Sequence, residues 1–115
     1  MTLPYATKSF DITLMALVLF FVPDPEVGLS EMKRITKFDG VVAAYAWDVF
    51  GGGLPMEPLH ALLRERRIEY PLPPSKEVSQ LSAMEHLWKN TGLVEVSTTS
   101  FPAERTFENF DEYWA

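Results

Sequence analysis

The sequence has no cysteine, only two histidines and no apolar run long enough for a membrane span. Without cysteine the chain can form neither a disulfide bond nor a thiolate metal site. The two histidines lack the close helical spacing of a zinc protease, so no metal site is expected. The apolar run between Asp11 and Asp24 has about a dozen residues, whereas a spanning helix needs about 20. The sequence therefore predicts no membrane span.

A basic leader and a basic surface are also missing. Residues 1–5 do not form the charged start of a signal peptide, so we expect a cytoplasmic protein. The net charge is -6, and binding to phosphate backbones requires clustered basic residues, so no nucleic-acid partner is expected. The glycines Gly51 to Gly53 are not followed by the Lys-Ser or Lys-Thr pair of a phosphate-binding loop, and they indicate a hinge or lid instead.

The sequence does contain enough apolar residues for one core, and we expect a single domain over residues 1–115, with 47% hydrophobic residues. Asp11 to Met15 is predicted as a strand, and its unbroken apolar pattern is typical of a strand covered on both faces. A loop or short helical turn is expected over residues 16–21.

Asp24 is predicted to cap a helix, because Pro25 suits the first helical position. Gly40 is predicted to end this helix in a left-handed conformation. Val41 to Trp47 is the second predicted strand. Strand, helix and strand in this order form a βαβ unit, whose strands should be parallel.

The second half of the chain is predicted to add helices and one further strand. Glu57 to Arg67 should form a helix with Leu59, Leu62 and Leu63 inward. Ser82 and Glu85 have the spacing of a capping box before a helix that ends at Gly92. Leu93 to Ser100 is predicted as a half-exposed edge strand, and a short final helix carries the aromatic residues Phe107, Phe110, Tyr113 and Trp114.

Four pieces of the sequence carry a resemblance. They are Leu3-Pro4-Tyr5 followed by Ser9-Phe10-Asp11, the run Met15 to Val22, Pro23-Asp24-Pro25 opening a helix, and Asp39-Gly40 before the second strand. In this order and spacing the chain resembles the carboxyl-terminal half of class I S-adenosylmethionine-dependent methyltransferases, in the branch of the ubiquinone and menaquinone biosynthesis enzymes. The resemblance covers nearly the whole chain.

The resemblance implies an α/β fold, namely a partial Rossmann-like methyltransferase sheet whose amino-terminal half is missing. In this family a glycine-rich turn and an acidic residue of that half hold the cofactor, and this sequence contains neither. The family pattern around adenine, Asp-Ala, two variable residues and Leu-Pro-Phe, would begin just before Met1. We therefore expect a fragment, or a start assigned to an internal methionine of a longer protein.

Open α/β sheets bind ligands outside the carboxyl ends of their strands. By the resemblance, Met15, Ala16 and Leu17 would pass beside the cofactor S-adenosylmethionine, and Phe20 would cover it. The alternative for Leu17 and Phe20 is packing in the core.

The second strand end supplies the candidates for catalysis and for binding of a small-molecule methyl acceptor. Asp48 is the candidate base for a hydroxyl or amine acceptor, with Tyr45 beside it and Trp47 shaping the pocket. His60 is a further titratable candidate in the substrate pocket, and the alternative is an exposed histidine on its helix.

Two functions from different classes follow. The chain is a small-molecule methyltransferase, or the substrate-side half of one. Alternatively it is a non-catalytic α/β module that acts in protein association. In either case the first strand lacks its usual neighbour, and an unpaired apolar edge is expected to pair with a second copy as a homodimer.

Overall fold

The computed structural model describes residues 2–114 as a mixed α/β fold. Its elements are β1 (Phe10–Ala16), α1 (Pro25–Ile35), β2 (Thr36–Tyr45), α2 (Glu57–Glu65), α3 (Leu81–Asn90) and α4 (Phe110–Trp114), with 3₁₀ turns at Leu19–Phe21 and Lys76–Ser79. β1 and β2 are parallel neighbours, and within residues 2–114 they form a two-stranded sheet. The predicted βαβ unit is confirmed, and it is compatible with part of a Rossmann-like methyltransferase sheet.

α1 begins where the sequence predicts. The Asp24 side chain accepts a hydrogen bond of 3.1 Å from the Val27 amide, and Pro25 occupies the first helical position. Glu26 in the first turn and Lys33 and Arg34 in the last turn complement the helix dipole.

The end of α1 differs from the prediction, because Thr36 ends the helix and Gly40 does not. The Thr36 backbone is already extended, and its hydroxyl donates to the Met32 carbonyl oxygen at 2.7 Å. The chain passes directly from α1 into β2, which begins five residues earlier than predicted, at Thr36 instead of Val41. Gly40 lies inside β2, where an added Cβ atom would come within 2.6 Å of the Asp11 carbonyl oxygen. The glycine therefore permits close approach of the two strands instead of a left-handed turn.

The core lies on one face of the sheet, under α1 and α3. Leu19, Leu29, Met32, Leu87 and Trp88 form a buried cluster there. The Trp88 indole nitrogen donates to a backbone carbonyl oxygen of β2, that of Val42, at 3.1 Å. This bond satisfies the indole N–H and joins α3 to the sheet.

The side chains of β1 alternate between a covered and an open face. Thr13 is buried and Met15 packs against the core, whereas Ile12 and Leu14 are 66% and 59% exposed. Within the described residues one face of the sheet is covered, so the expectation of two covered faces is wrong for this part of the chain.

The second half of the chain is less regular than predicted. α2 has no buried residue, so the prediction that its leucines point inward is wrong. Gln80, and not Ser82, precedes α3, and Glu85 pairs with Lys89 instead of forming a capping box. Gly92 does end this helix, with a φ of +74°. Residues 93–100 contain no strand, so the predicted edge strand is wrong.

The predicted final helix is present as α4, and its aromatic rings contact one another. Phe110 stacks on Trp114 with ring centroids 6.0 Å apart, and Phe107 meets Tyr113 edge to face. Within residues 2–114, no helix combines the length and the apolar character needed to span a bilayer.

Thr36→Val should destabilise the fold by about 1 to 3 kcal/mol, because the buried Thr13 hydroxyl, 2.8 Å from that of Thr36, loses its acceptor. Thr13→Val should lower the free energy of unfolding by less, since the Thr36 hydroxyl still donates to the Met32 carbonyl oxygen. The double variant should lower it by clearly less than the sum of the two single effects, because both single variants break the same bond. Urea unfolding measures all three free energies, and strictly additive costs would contradict the coupling.

Glu31 should titrate far below an ordinary glutamate. Hydrogen bonds from Arg34, and a bond of 2.9 Å from the Leu3 amide, lower its pKa from 4.5 to about 2. A lowered pKa stabilises the fold above about pH 4.5, and this stabilisation is lost as the pH falls toward 2.

The titration can be followed by NMR of the Glu31 carboxyl carbon and the Leu3 amide. Both signals should shift together with a midpoint near pH 2, and Glu31→Gln should abolish the shift at Leu3. A midpoint near 4.5 would show that the bonds among Leu3, Glu31 and Arg34 do not form.

Candidate functional site

The carboxyl ends of the two strands meet at one place. Ala16 is the register partner of Tyr45, and the Leu17 amide donates to the Tyr45 carbonyl oxygen at 2.9 Å. Three predicted cofactor residues, Met15, Ala16 and Leu17, therefore adjoin the predicted catalytic residue Tyr45. The side chain of Tyr45 is half exposed, so its hydroxyl can reach a ligand outside the strands.

Leu17 leaves the strand in an unusual backbone conformation. Its φ is +56°, in the left-handed region that a branched side chain adopts at a cost of about 1 to 3 kcal/mol. Lys8, Arg67 and Glu95 also have positive φ values, but Leu17 is the one at the end of a parallel strand. Such strained residues cluster at ligand sites, which makes this strand end a candidate site.

Phe20 is placed in the core. It is 2% exposed, its ring lies 4.6 Å from that of Phe21, and its carbonyl oxygen accepts a hydrogen bond from the Ser75 amide. The structure thus supports the packing alternative for Phe20, and contact with a cofactor would require this side chain to leave its buried position.

Asp48 organises the loop after β2. Its Oδ1 atom accepts a hydrogen bond from the Gly51 amide at 2.8 Å, and its carbonyl oxygen accepts one from the Gly53 amide at 2.8 Å. A Cβ atom at Gly51 would come within 2.0 Å of Asp48 Oδ2, so a side chain there would displace the carboxylate from its bond to the Gly51 amide. The triple glycine predicted as a hinge or lid is therefore a turn closed around an exposed carboxylate, next to the half-buried Trp47.

His60 belongs to a different group of side chains. Its ring stacks on Tyr70, with centroids 4.3 Å apart and an angle of 18° between the planes. Arg64 donates to the Tyr70 hydroxyl and pairs with Glu57. The aromatic partner of His60 is thus Tyr70 and not Trp47, and its role in a substrate pocket stays a prediction.

A groove of about 1200 Å³ lies elsewhere, between β2 and the irregular segment 92–98. None of the predicted site residues lines it. No sequence pattern indicates this groove, because residues 93–98 alternate like a strand and the groove depends on their being irregular. Within residues 2–114, no group of three His, Asp or Glu side chains could hold a metal ion.

Asp48→Ala should open the turn, and Asp48→Asn should preserve it, because an amide oxygen can replace Oδ1 as acceptor for the Gly51 amide. In Asp48→Ala the Gly51 amide loses its hydrogen bond, which is worth about 1 kcal/mol, so this amide should exchange roughly fivefold faster than in the wild type. Amide hydrogen exchange measured by NMR compares the variants. Equal exchange in both would show that the carboxylate does not hold the turn.

Comparison with known proteins gives one match. Residues 1–44 match the family model described as "Methyltransferase domain". No curated protein and no solved structure matches the chain significantly. The matched segment contains β1, α1 and β2 up to Ala44, so it includes Leu17 and ends one residue before Tyr45, to which Leu17 bonds. The match supports a methyltransferase domain in this chain, built on its βαβ unit.

Proposed function

We propose that this chain is the substrate-side part of an S-adenosylmethionine-dependent methyltransferase that acts on a small molecule. The observation that carries the proposal is the junction of Leu17 with Tyr45, where two parallel strands end together at the boundary of the segment matched to methyltransferases. The finer assignment, to the carboxyl-terminal half of an enzyme of the ubiquinone and menaquinone branch, is part of the same proposal and rests on the sequence resemblance.

The residues at the strand ends fit one part of the methyl donor. Ala16 is small and exposed, and the left-handed backbone at Leu17 turns the chain away from the sheet. Such a surface suits the methionine portion of S-adenosylmethionine, which needs close approach to the backbone. The sequence contains no Gly-x-Gly-x-Gly turn to hold the rest of the donor. Ala16 and Leu17 therefore form one wall of the donor site, and Met15 contributes its backbone, because its side chain packs against the core.

S-adenosylmethionine supplies the methyl group, which transfers by in-line displacement. The protein contributes mainly alignment, which can lower the barrier by about 7 to 11 kcal/mol. The Tyr45 hydroxyl and the Trp47 ring position the acceptor in front of the donor wall. The Asp48 carboxylate accepts the proton of a hydroxyl or amine acceptor, while its Oδ1 atom remains bonded to the Gly51 amide.

The methyl acceptor is proposed to be a small molecule with an apolar or planar part. The half-exposed Tyr45 and the half-buried Trp47 offer aromatic surface at and just beyond the end of β2. The alternative of a non-catalytic module is not favoured, because the match is to an enzymatic domain and covers the strand end that would meet the donor.

Calorimetry with S-adenosylmethionine tests the proposal on the full chain. The wild-type chain should bind the donor. Leu17→Asp and Leu17→Asn make a matched pair, since both residues tolerate a positive φ and differ mainly in charge. The donor's methionine portion carries two cations, the sulfonium and the ammonium, against one carboxylate, so the aspartate variant should bind it about tenfold more tightly than the asparagine variant, or by about 1.4 kcal/mol.

The same titration can overturn the proposal. If the wild-type chain is folded and does not bind S-adenosylmethionine, it does not form a donor-binding site. If the two Leu17 variants bind S-adenosylmethionine with equal affinity, the donor does not bind beside Leu17 at the end of β1.

A further inference from the structure

A short segment connects the two loops of the proposed site. One loop follows β1 at residues 17–24 and carries Leu17. The other follows β2 at residues 46–56 and carries Asp48. The sequence separates these loops by α1 and β2, so a contact shared by both must come from another part of the chain. We define the linking turn as residues 75–79, and this segment bonds to both loops.

The first residue of the linking turn is bonded to the loop after β1. The Ser75 amide donates to the Phe20 carbonyl oxygen at 3.0 Å, and the Ser75 hydroxyl donates to the Val22 carbonyl oxygen at 2.7 Å. All three residues are buried, and Val78 of the same turn packs against the core cluster. Bonds that are shielded from water are stronger, so this end of the turn is fixed to the loop that leads from the donor wall.

The last residue of the linking turn is bonded to the loop after β2. The Val49 amide donates to the Ser79 hydroxyl oxygen at 3.3 Å, and Ser79 is 5% exposed. A buried hydroxyl is costly without a hydrogen-bond partner, which favours this contact. The Lys76 ammonium also lies 5.9 Å from the centre of the Phe50 ring. Because Asp48 directly precedes Val49, these contacts restrain the backbone of the proposed base.

We propose that Ser79 is a positioning residue for methyl transfer, which fixes the loop carrying Asp48 relative to the end of β1. This inference rests on the proposed function, in which Leu17 borders the donor and Asp48 accepts the acceptor's proton. In-line transfer requires alignment, and a displacement of about 1 Å can slow a reaction about 100-fold. The donor wall and the base lie on different loops, and the linking turn holds those loops together.

Amide hydrogen exchange of the full chain, measured by NMR without ligand, tests the contact. Ser79→Ala removes the acceptor of the Val49 amide, so this amide should exchange roughly fivefold faster. The Gly51 amide bonds to the Asp48 carboxylate, and it should exchange at least about twofold faster as the loop loosens. Ser82→Ala is the matched control, since Ser82 is an exposed serine of α3, and it should leave both amides as in the wild type.

The double variant of Ser79→Ala with Asp48→Ala separates positioning from an unrelated loss of stability. In Asp48→Ala the Gly51 amide has already lost its acceptor. If Ser79 acts through Asp48, adding Ser79→Ala should accelerate exchange at Gly51 by clearly less than it does in the wild type. Equal acceleration in both backgrounds would contradict the positioning role.

Titration with S-adenosylhomocysteine, the product of the donor, distinguishes this inference from the proposed function. Wild type and Ser79→Ala should bind it with affinities within about twofold of each other, because a twofold change is under 0.5 kcal/mol and Ser79 is not part of the donor wall. On binding, the amide shifts at residues 15–17 should persist in Ser79→Ala, and those at residues 45–48 should decrease. A wild type that does not bind would overturn the proposed function and the role of Ser79 with it. Binding by both chains, with exchange at Val49 and shifts at residues 45–48 unchanged by Ser79→Ala, would overturn the role of Ser79 alone.

Discussion

The hydroxyl of Thr36 joins the helix to both strands. It donates to the Met32 carbonyl oxygen in the last turn of α1 and accepts from the Thr13 hydroxyl of β1. Because Thr36 is also the first residue of β2, this single group ends the crossover helix and sets where the second strand begins. The register shifts between Phe10 and Ile12, and from Ile12 the pairs run without a break to Ala16 and Tyr45, where the strand ends meet.

The two faces of the sheet differ in how far their side chains are buried. On the covered face, α1 and α3 bury a small cluster, and Trp88 donates to the backbone of β2. On the open face, apolar side chains of both strands remain exposed. The candidate donor wall lies at the end of β1, where the exposed Ala16 belongs both to the wall and to the open face.

Local chemistry made much of the βαβ unit predictable from sequence. The cap at Asp24, the proline after it and the apolar strands are each recognised by short-range patterns, and the structure contains them. The end of α1 was not predictable in this way, because Thr36 acts through a bond to Thr13, which is distant in sequence. Residues 93–100 alternate like a strand, but within the described residues they pair with no partner. The junction at Tyr45 was predicted from topology, whereas the packing of Phe20 and the turn around Asp48 depend on contacts that sequence patterns do not encode.

The central claim is that the end of β1 forms one wall of a methyl-donor site and the end of β2 faces the methyl acceptor beside it. The most direct measurement is an NMR titration of the full chain with S-adenosylhomocysteine, the donor's product, read at every assigned backbone amide. The account predicts that the largest shifts fall at residues 15–17 and 45–48, with the core of α3 unchanged. Shifts confined to the groove between β2 and residues 92–98, or no shifts at all, would contradict it.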